Sequence, residues 1–169
     1  RRQRGAGVPS IDRRTKRWLI AAGLFFAADL AVWHWSIKIT TVANATLLAN
    51  LAPVFVALAG WALFSQRFRA GFVLGLATTL SGAFVLMGDS LSFGHKRLTG
   101  DLLGVLTAVF YAGYIICVSR LRAGISTATV MFWSAAVCSI ALLPVALLSG
   151  ENLLPDSAKG WAVLVALAV

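Results

Sequence analysis

A single acidic residue interrupts a long uncharged stretch near the start of the chain. Asp29 is the only Asp, Glu, Lys or Arg in residues 18–37. A charge at the centre of a bilayer costs about 2.5–3.5 kcal/mol on insertion scales, so such a carboxylate faces a protein interior or a wet cavity, or carries a proton. We predict that Asp29 is buried. Two roles stay open for it: a coupling carboxylate that takes up a proton or cation, or a packed, hydrogen-bonded side chain.

The neighbours of Asp29 in a helix follow from the helical repeat. His34 comes five residues later, about 140° around a helix, so we do not expect it to pair with Asp29. Trp33 and Ser36 share the face of Asp29 instead. Trp33 is therefore a candidate binding residue, and His34 is predicted to lie at the membrane interface.

A second polar pattern surrounds a proline. Thr46, Asn50, Pro53 and Ala57 are spaced i, i+4, i+7 and i+11, so they share one face of a helix. Proline lacks an N–H, so the carbonyl of Ala49 needs another partner in lipid. We predict that this kinked stripe faces the protein interior or a solute pathway, with Thr46, Asn50 and Pro53 binding substrate. The open alternative is that Asn50 only links neighbouring helices, a bond worth about 0.6 kcal/mol.

Two tyrosines form a third candidate site. Tyr111 and Tyr114 are spaced i, i+3, with Thr107 on the same side of a helix. This arrangement predicts the wall of a cavity for an aromatic or amphipathic solute, with ordinary helix packing as the alternative. Asp101, at the predicted start of the same helix, is interpreted as a favourable acid near a helix N-terminus.

Patterns typical of catalysis or metal binding do not accompany these residues. The chain has two histidines and contains neither HExxH nor GxSxG, so a nucleophile, a base and an orienting group cannot be assembled from it. Asp89, His95 and Lys96 lie near one another but lack metal-ligand spacing. Cys117 and Cys138 stand in apolar runs and are interpreted as packing residues. We predict no cofactor, no metal site and no enzymatic activity.

Composition indicates where all these residues lie. The chain has 169 residues, of which 59% are hydrophobic and 12% are charged, with a mean hydropathy of +0.84. Soluble domains carry about 25% charged residues, and a domain of this size has too little interior to hide so much apolar surface. The composition therefore excludes a disordered chain, a coiled coil, an ordinary cytosolic enzyme and a disulfide scaffold.

Long uncharged runs locate the helices. Because a helix that crosses a bilayer needs about 20 mostly apolar residues, we predict an all-α, polytopic transmembrane helix bundle with five spans. A sixth helix is expected from Gly160 onward, and it is too short to span before Val169. The chain is therefore expected to be a fragment, cut at both ends. The predicted spans are helix A at 18–37, B at 42–64, C at 70–88, D at 101–119 and E at 126–148.

Positive charge sets the predicted orientation. The net charge is +9, and residues 1–17 alone hold seven Lys/Arg and one Asp. Alternate loops carry eleven and four Lys/Arg, so the positive-inside rule places residues 1–17 in the cytoplasm and residues 89–100 outside. A nucleic-acid arm is the alternative for this basic segment, and we predict no nucleic-acid partner.

Two segments resemble a known transporter family. The first is WHWSIKITTVANATLLANLAP, residues 33–53, followed by VFVAL, and the second is residues 71–88. They resemble the third to fifth helices of an EamA-type repeat in the drug/metabolite transporter superfamily. The resemblance covers nearly all of residues 16–169. One departure is Ser65-Gln66-Arg67, where the family often has Gly-Glu-Arg.

The resemblance implies a fragment of a ten-helix transporter with two inverted halves. Residues 18–88 would be the last three helices of the first half, residues 89–100 an external linker and residues 101–169 the first helices of the second. Helix B would be the cavity-lining fourth helix, and helix D the sixth, which lines the pathway.

The implied function is export of small metabolites or amino acids by alternating access. The implied location is the bacterial inner membrane, as a multi-pass protein, with a small-molecule solute and membrane lipid as partners. An intramembrane enzyme and a non-transporting structural membrane protein are the alternatives. The sequence predicts neither the substrate, the coupling ion, the direction of transport nor the oligomeric state.

Overall fold

The predicted all-α class is confirmed. The computed structural model describes residues 12–65, 67–87, 95–150, 155 and 157–168, and all regular structure in these residues is helical. The helices are α1 Arg13–Ile39, α2 Val42–Ala49, α3 Ala52–Phe64, α4 Ala70–Met87, α5 His95–Leu121, α6 Thr127–Leu148 and α7 Ala158–Ala168.

Four segments of the described residues are long and apolar enough to cross a membrane. They are α1, the α2–α3 segment Val42–Leu63, the part of α5 from Leu98 to Leu121, and α6. They coincide with predicted helices A, B, D and E. α4 takes the place of helix C, although its apolar stretch Ala70–Ala83 is shorter than the other four. α7 corresponds to the beginning of the predicted sixth helix.

α1 starts before its apolar run because a side chain caps it. The carboxylate of Asp12 accepts a hydrogen bond from the backbone N–H of Thr15 at 2.9 Å, as expected of an N-cap aspartate. Hydrogen bonds from Thr15 hold the pKa of Asp12 below its ordinary value, so this cap is charged at neutral pH and favourable at the positive end of the helix dipole. The helix therefore includes residues 13–17, which hydropathy placed in a loop.

α5 also extends beyond its apolar run. It begins at His95, so residues 95–100 of the predicted linker are helical, whereas Asp89 lies outside the described residues. Asp101 is consequently not at the helix start, and the interpretation as an N-terminal acid is wrong. Its carboxylate instead accepts a hydrogen bond from the hydroxyl of Thr40 at 2.7 Å, which ties the end of α1 to α5. Hydropathy indicates which part of a helix lies in lipid, but it does not indicate where the helix begins or ends.

Predicted helix B is two helices. α2 ends at Ala49 and α3 begins at Ala52, with Asn50 and Leu51 between them. Pro53 lies in the first turn of α3, where its missing N–H is not needed. A continuous helix would require residue 53 to donate to the carbonyl of Ala49, which proline cannot do. The predicted kink is therefore a two-residue interruption that divides helix B into α2 and α3.

α1 forms the centre of the bundle. It packs against α5 and α6, and α2 and α3 pack on α5. The hydroxyl of Ser36 donates to the carbonyl of Gly100 at 2.7 Å near one end of α1, and Leu19 packs with Leu121 near the other end. α1 and α5 are therefore antiparallel. Within the described residues, α4 and α7 make only slight contact with the remainder.

Candidate functional site

Asp29 lies in the middle of α1 and is 8% exposed, which confirms its predicted burial. Ser36, on the same helix face, is fully buried and is satisfied by its bond to Gly100. Within the part of the chain that the structure describes, the Asp29 carboxylate takes part in no hydrogen bond or ion pair. Among the described residues, the fully enclosed side-chain oxygen that lacks a hydrogen-bond partner is that of Ser134 and not one of Asp29.

The surroundings of Asp29 come from two other helices. Cys138 of α6 is close enough to interact electrostatically with Asp29, and Tyr114 of α5 interacts with Cys138 in the same way. Ser134, one turn before Cys138, is 1% exposed, and its hydroxyl has no hydrogen-bond partner among the described residues. We call these four residues, Asp29, Tyr114, Ser134 and Cys138, the polar core cluster.

The tyrosine pair borders this cluster. The rings of Tyr111 and Tyr114 stack with centroids 6.0 Å apart, and Phe26 stacks on Tyr114 at 4.9 Å. The Tyr114 hydroxyl lies 3.6 Å from the sulfur of Met131. Tyr114 is half-buried, whereas Tyr111 is exposed. The pair thus forms an aromatic ladder from the surface toward α1.

The residues around the helix break lie elsewhere. Asn50 and Pro53 line a groove of about 330 Å³ between the α2–α3 break and α4. The opposite wall is mostly apolar, and Gly75 and Thr79 belong to it. The Thr79 hydroxyl donates to the carbonyl of Gly75 at 2.9 Å, so it is satisfied within its own helix. We call this feature the break groove.

The predicted site residues therefore divide into two groups. The break groove and the polar core cluster share no residue. Thr46, Asn50 and Pro53 are exposed and Ala57 is buried, so three of the four residues of the predicted stripe do not face the interior formed by the described residues. Trp33 is half-buried on α1, and His34 is exposed. Thr107 is buried and donates to the carbonyl of Leu103 at 3.0 Å, so its hydroxyl is satisfied within α5.

Sequence reasoning missed two members of the polar core cluster. Cys138 is buried, as its interpretation as a packing residue requires, but its proximity to Asp29 was not predicted. Ser134 was not singled out at all. The available signal was the i, i+4 spacing of Ser134 and Cys138 on one face of helix E. Small polar residues with this spacing are common at helix contacts in membranes, so the signal alone does not mark a site.

The family model and the named relatives of this chain indicate the same family. The sequence model described as the EamA-like transporter family matches residues 6–88 and 98–169. The pseudopaline exporter CntI of Pseudomonas aeruginosa is 28% identical over 167 residues, which cover 98% of this chain and 57% of that protein. The probable terminal-alkyne amino-acid exporter of Streptantibioticus cattleyicolor is 28% identical over 170 residues, 96% of this chain and 56% of the exporter.

A third relative carries a less specific name. The uncharacterized inner membrane transporter YhbE of Escherichia coli is 26% identical over 142 residues, 79% of this chain and 44% of YhbE. The chain thus spans about half the length of the curated relatives it matches. No solved structure matches it significantly.

Proposed function

This chain belongs to the EamA-like transporter family, and it is a membrane protein. From this we infer the function of the whole protein. We propose that the protein exports small metabolites or amino acids, because two relatives are named as a pseudopaline exporter and a probable terminal-alkyne amino-acid exporter. We further propose that it is a multi-pass protein of the bacterial inner membrane. In this proposal residues 18–88 close one repeat and residues 101–169 open the next, which agrees with the two matched segments of the family model.

The observation that carries this proposal is the unpartnered burial of Asp29. An uncompensated charge inside a membrane bundle is strongly unfavourable, so the carboxyl group is stable there either protonated or paired with a cation. A site that alternates between the two faces of a membrane exchanges that proton or cation with each compartment in turn. Asp29 is thus proposed as the coupling group.

Solute binding is proposed at the aromatic ladder and the break groove. Tyr111, Tyr114 and Trp33 offer rings on the side of the bundle that holds Asp29. Asn50 and Pro53 offer a side-chain amide and the backbone groups released at the break, and Thr46 lies one turn before Asn50. The amide and backbone N–H groups at the break groove are donors that suit the carboxylate of an amino acid.

The test compares two acids in the full-length protein. Asp29→Asn keeps the shape and removes the charge, and we expect it to abolish the dependence of efflux on a pH or cation gradient in inverted vesicles. Asp101→Asn is the matched control: it keeps an oxygen that accepts from Thr40, so we expect near wild-type efflux. A set of amino acids and amphipathic cations serves as the solutes.

The outcomes separate the alternatives. If Asp29→Asn leaves efflux of every solute and its gradient dependence unchanged, the coupling role is wrong and Asp29 is a packing residue. If the wild-type protein moves none of the solutes, a structural role or intramembrane catalysis gains support. The family and its named relatives favour transport over catalysis.

A further inference from the structure

A cavity lies at the end of the bundle where α1 begins and α5 ends. Its volume is about 340 Å³. α1 contributes Arg14, Thr15 and Trp18, α5 contributes Ser119 and Arg120, and the following turn contributes Gly124. The cavity is distinct from the polar core cluster and from the break groove, since it shares no residue with either.

The antiparallel packing of α1 and α5 brings its two arginines together. Leu19 packs with Cys117 and Leu121 in a buried cluster. This contact fixes the first turns of α1 beside the last turn of α5, so Arg14 and Arg120 reach the same cavity although they lie far apart in the sequence. Val130 belongs to the same cluster, so the start of α6 supports this end from a third side.

Positive charge greatly exceeds negative charge around this cavity. The acids among the described residues are Asp12, Asp29 and Asp101. Asp29 lies mid-helix, and Asp101 lies at the opposite end of α1, bonded to Thr40. Asp12 accepts from the backbone N–H of Thr15 and also interacts electrostatically with Arg14, so it offsets part of the charge of that arginine. The basic residues in the first turns of α1 and around the end of α5 are Arg13, Arg14, Lys16, Arg17, Arg120 and Arg122, whereas Lys38 lies at the other end of α1.

The side chains of the cavity match a phosphate group at a membrane surface. Guanidinium groups bind phosphate oxygens through paired hydrogen bonds, and the hydroxyls of Thr15 and Ser119 add donors. Trp18 is half-buried beside them, and indole rings favour the depth of lipid headgroups. Leu121 and Ile125 form an apolar part of the lining. Basic pockets between membrane helices on the cytoplasmic side bind anionic lipid headgroups.

We propose that this cavity binds a phosphate-bearing anion, presented by the headgroup of an anionic phospholipid. The lipid phosphate lies between Arg14 and Arg120, and its acyl chains follow the apolar surface of the bundle. The same phosphate chemistry is available from free phosphate in solution. This site is independent of the solute pathway, because it lies at the end of the bundle and contains none of the residues proposed for coupling or solute binding.

The experiment titrates the purified full-length protein in detergent with phosphatidylglycerol, phosphatidylcholine or inorganic phosphate, with binding followed by native mass spectrometry and by the thermal unfolding midpoint. We expect phosphatidylglycerol to bind more tightly than the other two. R14Q/R120Q is expected to weaken that binding about 30-fold, the factor that corresponds to about 1 kcal/mol for each arginine near a membrane surface. R14K/R120K keeps the charge and should retain most of the binding.

The matched control is R67Q/R69Q, which removes the same charge from the loop before α4, outside the cavity. We expect it to bind phosphatidylglycerol as the wild type does. Equal binding of phosphatidylglycerol and phosphatidylcholine by the wild type overturns the proposal, as does equal loss in the control and in R14Q/R120Q. If inorganic phosphate binds as tightly as the lipid, and R14Q/R120Q weakens both, the anion site stands and the lipid source is rejected.

Discussion

Two aspartates of this chain show what decides the role of a side chain in a membrane bundle. Asp29 and Asp101 both lie within helices, yet Asp101 accepts a hydrogen bond from Thr40, whereas Asp29 is buried without such a bond in the described residues. A hydrogen-bonded acid near a helix end contributes to packing at little cost, while an acid in the middle of a membrane helix is retained at a cost in stability. The contrast favours a functional role for Asp29.

Gly23 of α1 lies in close contact with α6. A Cβ atom placed there would lie 2.4 Å from the Cβ of Val137 and 3.0 Å from the carbonyl oxygen of Ser134. Both atoms belong to or adjoin the backbone, so they cannot move aside. We expect Gly23→Ala to destabilise the full-length protein by about 1–3 kcal/mol, measured as a lower thermal unfolding midpoint in detergent.

Gly71 provides the control for this prediction. It is also helical, on α4, and a Cβ atom there meets nothing within 4 Å. Gly71→Ala should leave the midpoint unchanged or raise it slightly, because alanine favours helix over glycine. Equal midpoints for Gly23→Ala and Gly71→Ala would show that α1 and α6 do not pack through this glycine.

At the scale of elements, the break between α2 and α3 is the main irregularity within a predicted span. Asn50 and Leu51 have helical dihedral angles, and the N–H of Leu51 donates to the carbonyl of Leu48 at 3.0 Å. The break is therefore a tightened turn and not an extended loop. A small change at a few dihedral angles would re-aim α3 against α4, which is how hinges in transporters and enzymes commonly work.

Pro53→Ala tests the break as a hinge. Alanine restores the N–H that can donate to the carbonyl of Ala49, so α2 and α3 can join into one stiffer helix. We expect a several-fold lower transport rate in vesicles, with little change in the apparent affinity for solute.

Pro144→Ala is the matched control for the hinge test. Pro144 lies inside α6, away from the break, and its replacement should leave the transport rate close to that of the wild type. A proportional loss of expression and transport in Pro53→Ala, with no separate effect on rate, would mean that the break is only scaffold.

At the scale of the whole molecule, the helices alternate in direction and give the bundle two unlike ends. The starts of α1 and α6 and the end of α5 form one end, which carries Arg14 and Arg120. The end of α1 and the first turns of α5 form the other, joined through Ser36 and Thr40. The positive-inside rule predicts that the arginine-rich end is cytoplasmic.

Cysteine labelling tests this orientation. Cys117 and Cys138 are both buried, so they are replaced first. Val42→Cys and Ala70→Cys are then introduced singly, at exposed positions that start α2 and α4. In intact cells an impermeant thiol reagent should label residue 42 and not residue 70, and permeabilised cells should show labelling of both. The reverse pattern in intact cells would invert the proposed topology.

Much of the architecture was predictable from the sequence because insertion into a bilayer depends on local properties. Any run of about 20 apolar residues must satisfy its own backbone in lipid, and a helix does so without help from the rest of the chain. For the same reason the burial of Asp29 followed from its position alone. The proline at residue 53 likewise predicted an irregular helix B, since its missing N–H is a property of one residue.

The tertiary structure alone decided which helices pack together and which side chains of different helices lie next to one another. The proximity of Cys138 to Asp29, the burial of Ser134 beside α1 and the bond between Thr40 and Asp101 join residues far apart in the chain. Hydropathy carries no information on such pairings, because in lipid every apolar helix face is about equally well solvated and small differences in close packing and hydrogen bonding select the partner. The meeting of Arg14 and Arg120 depends on the same choice of partners.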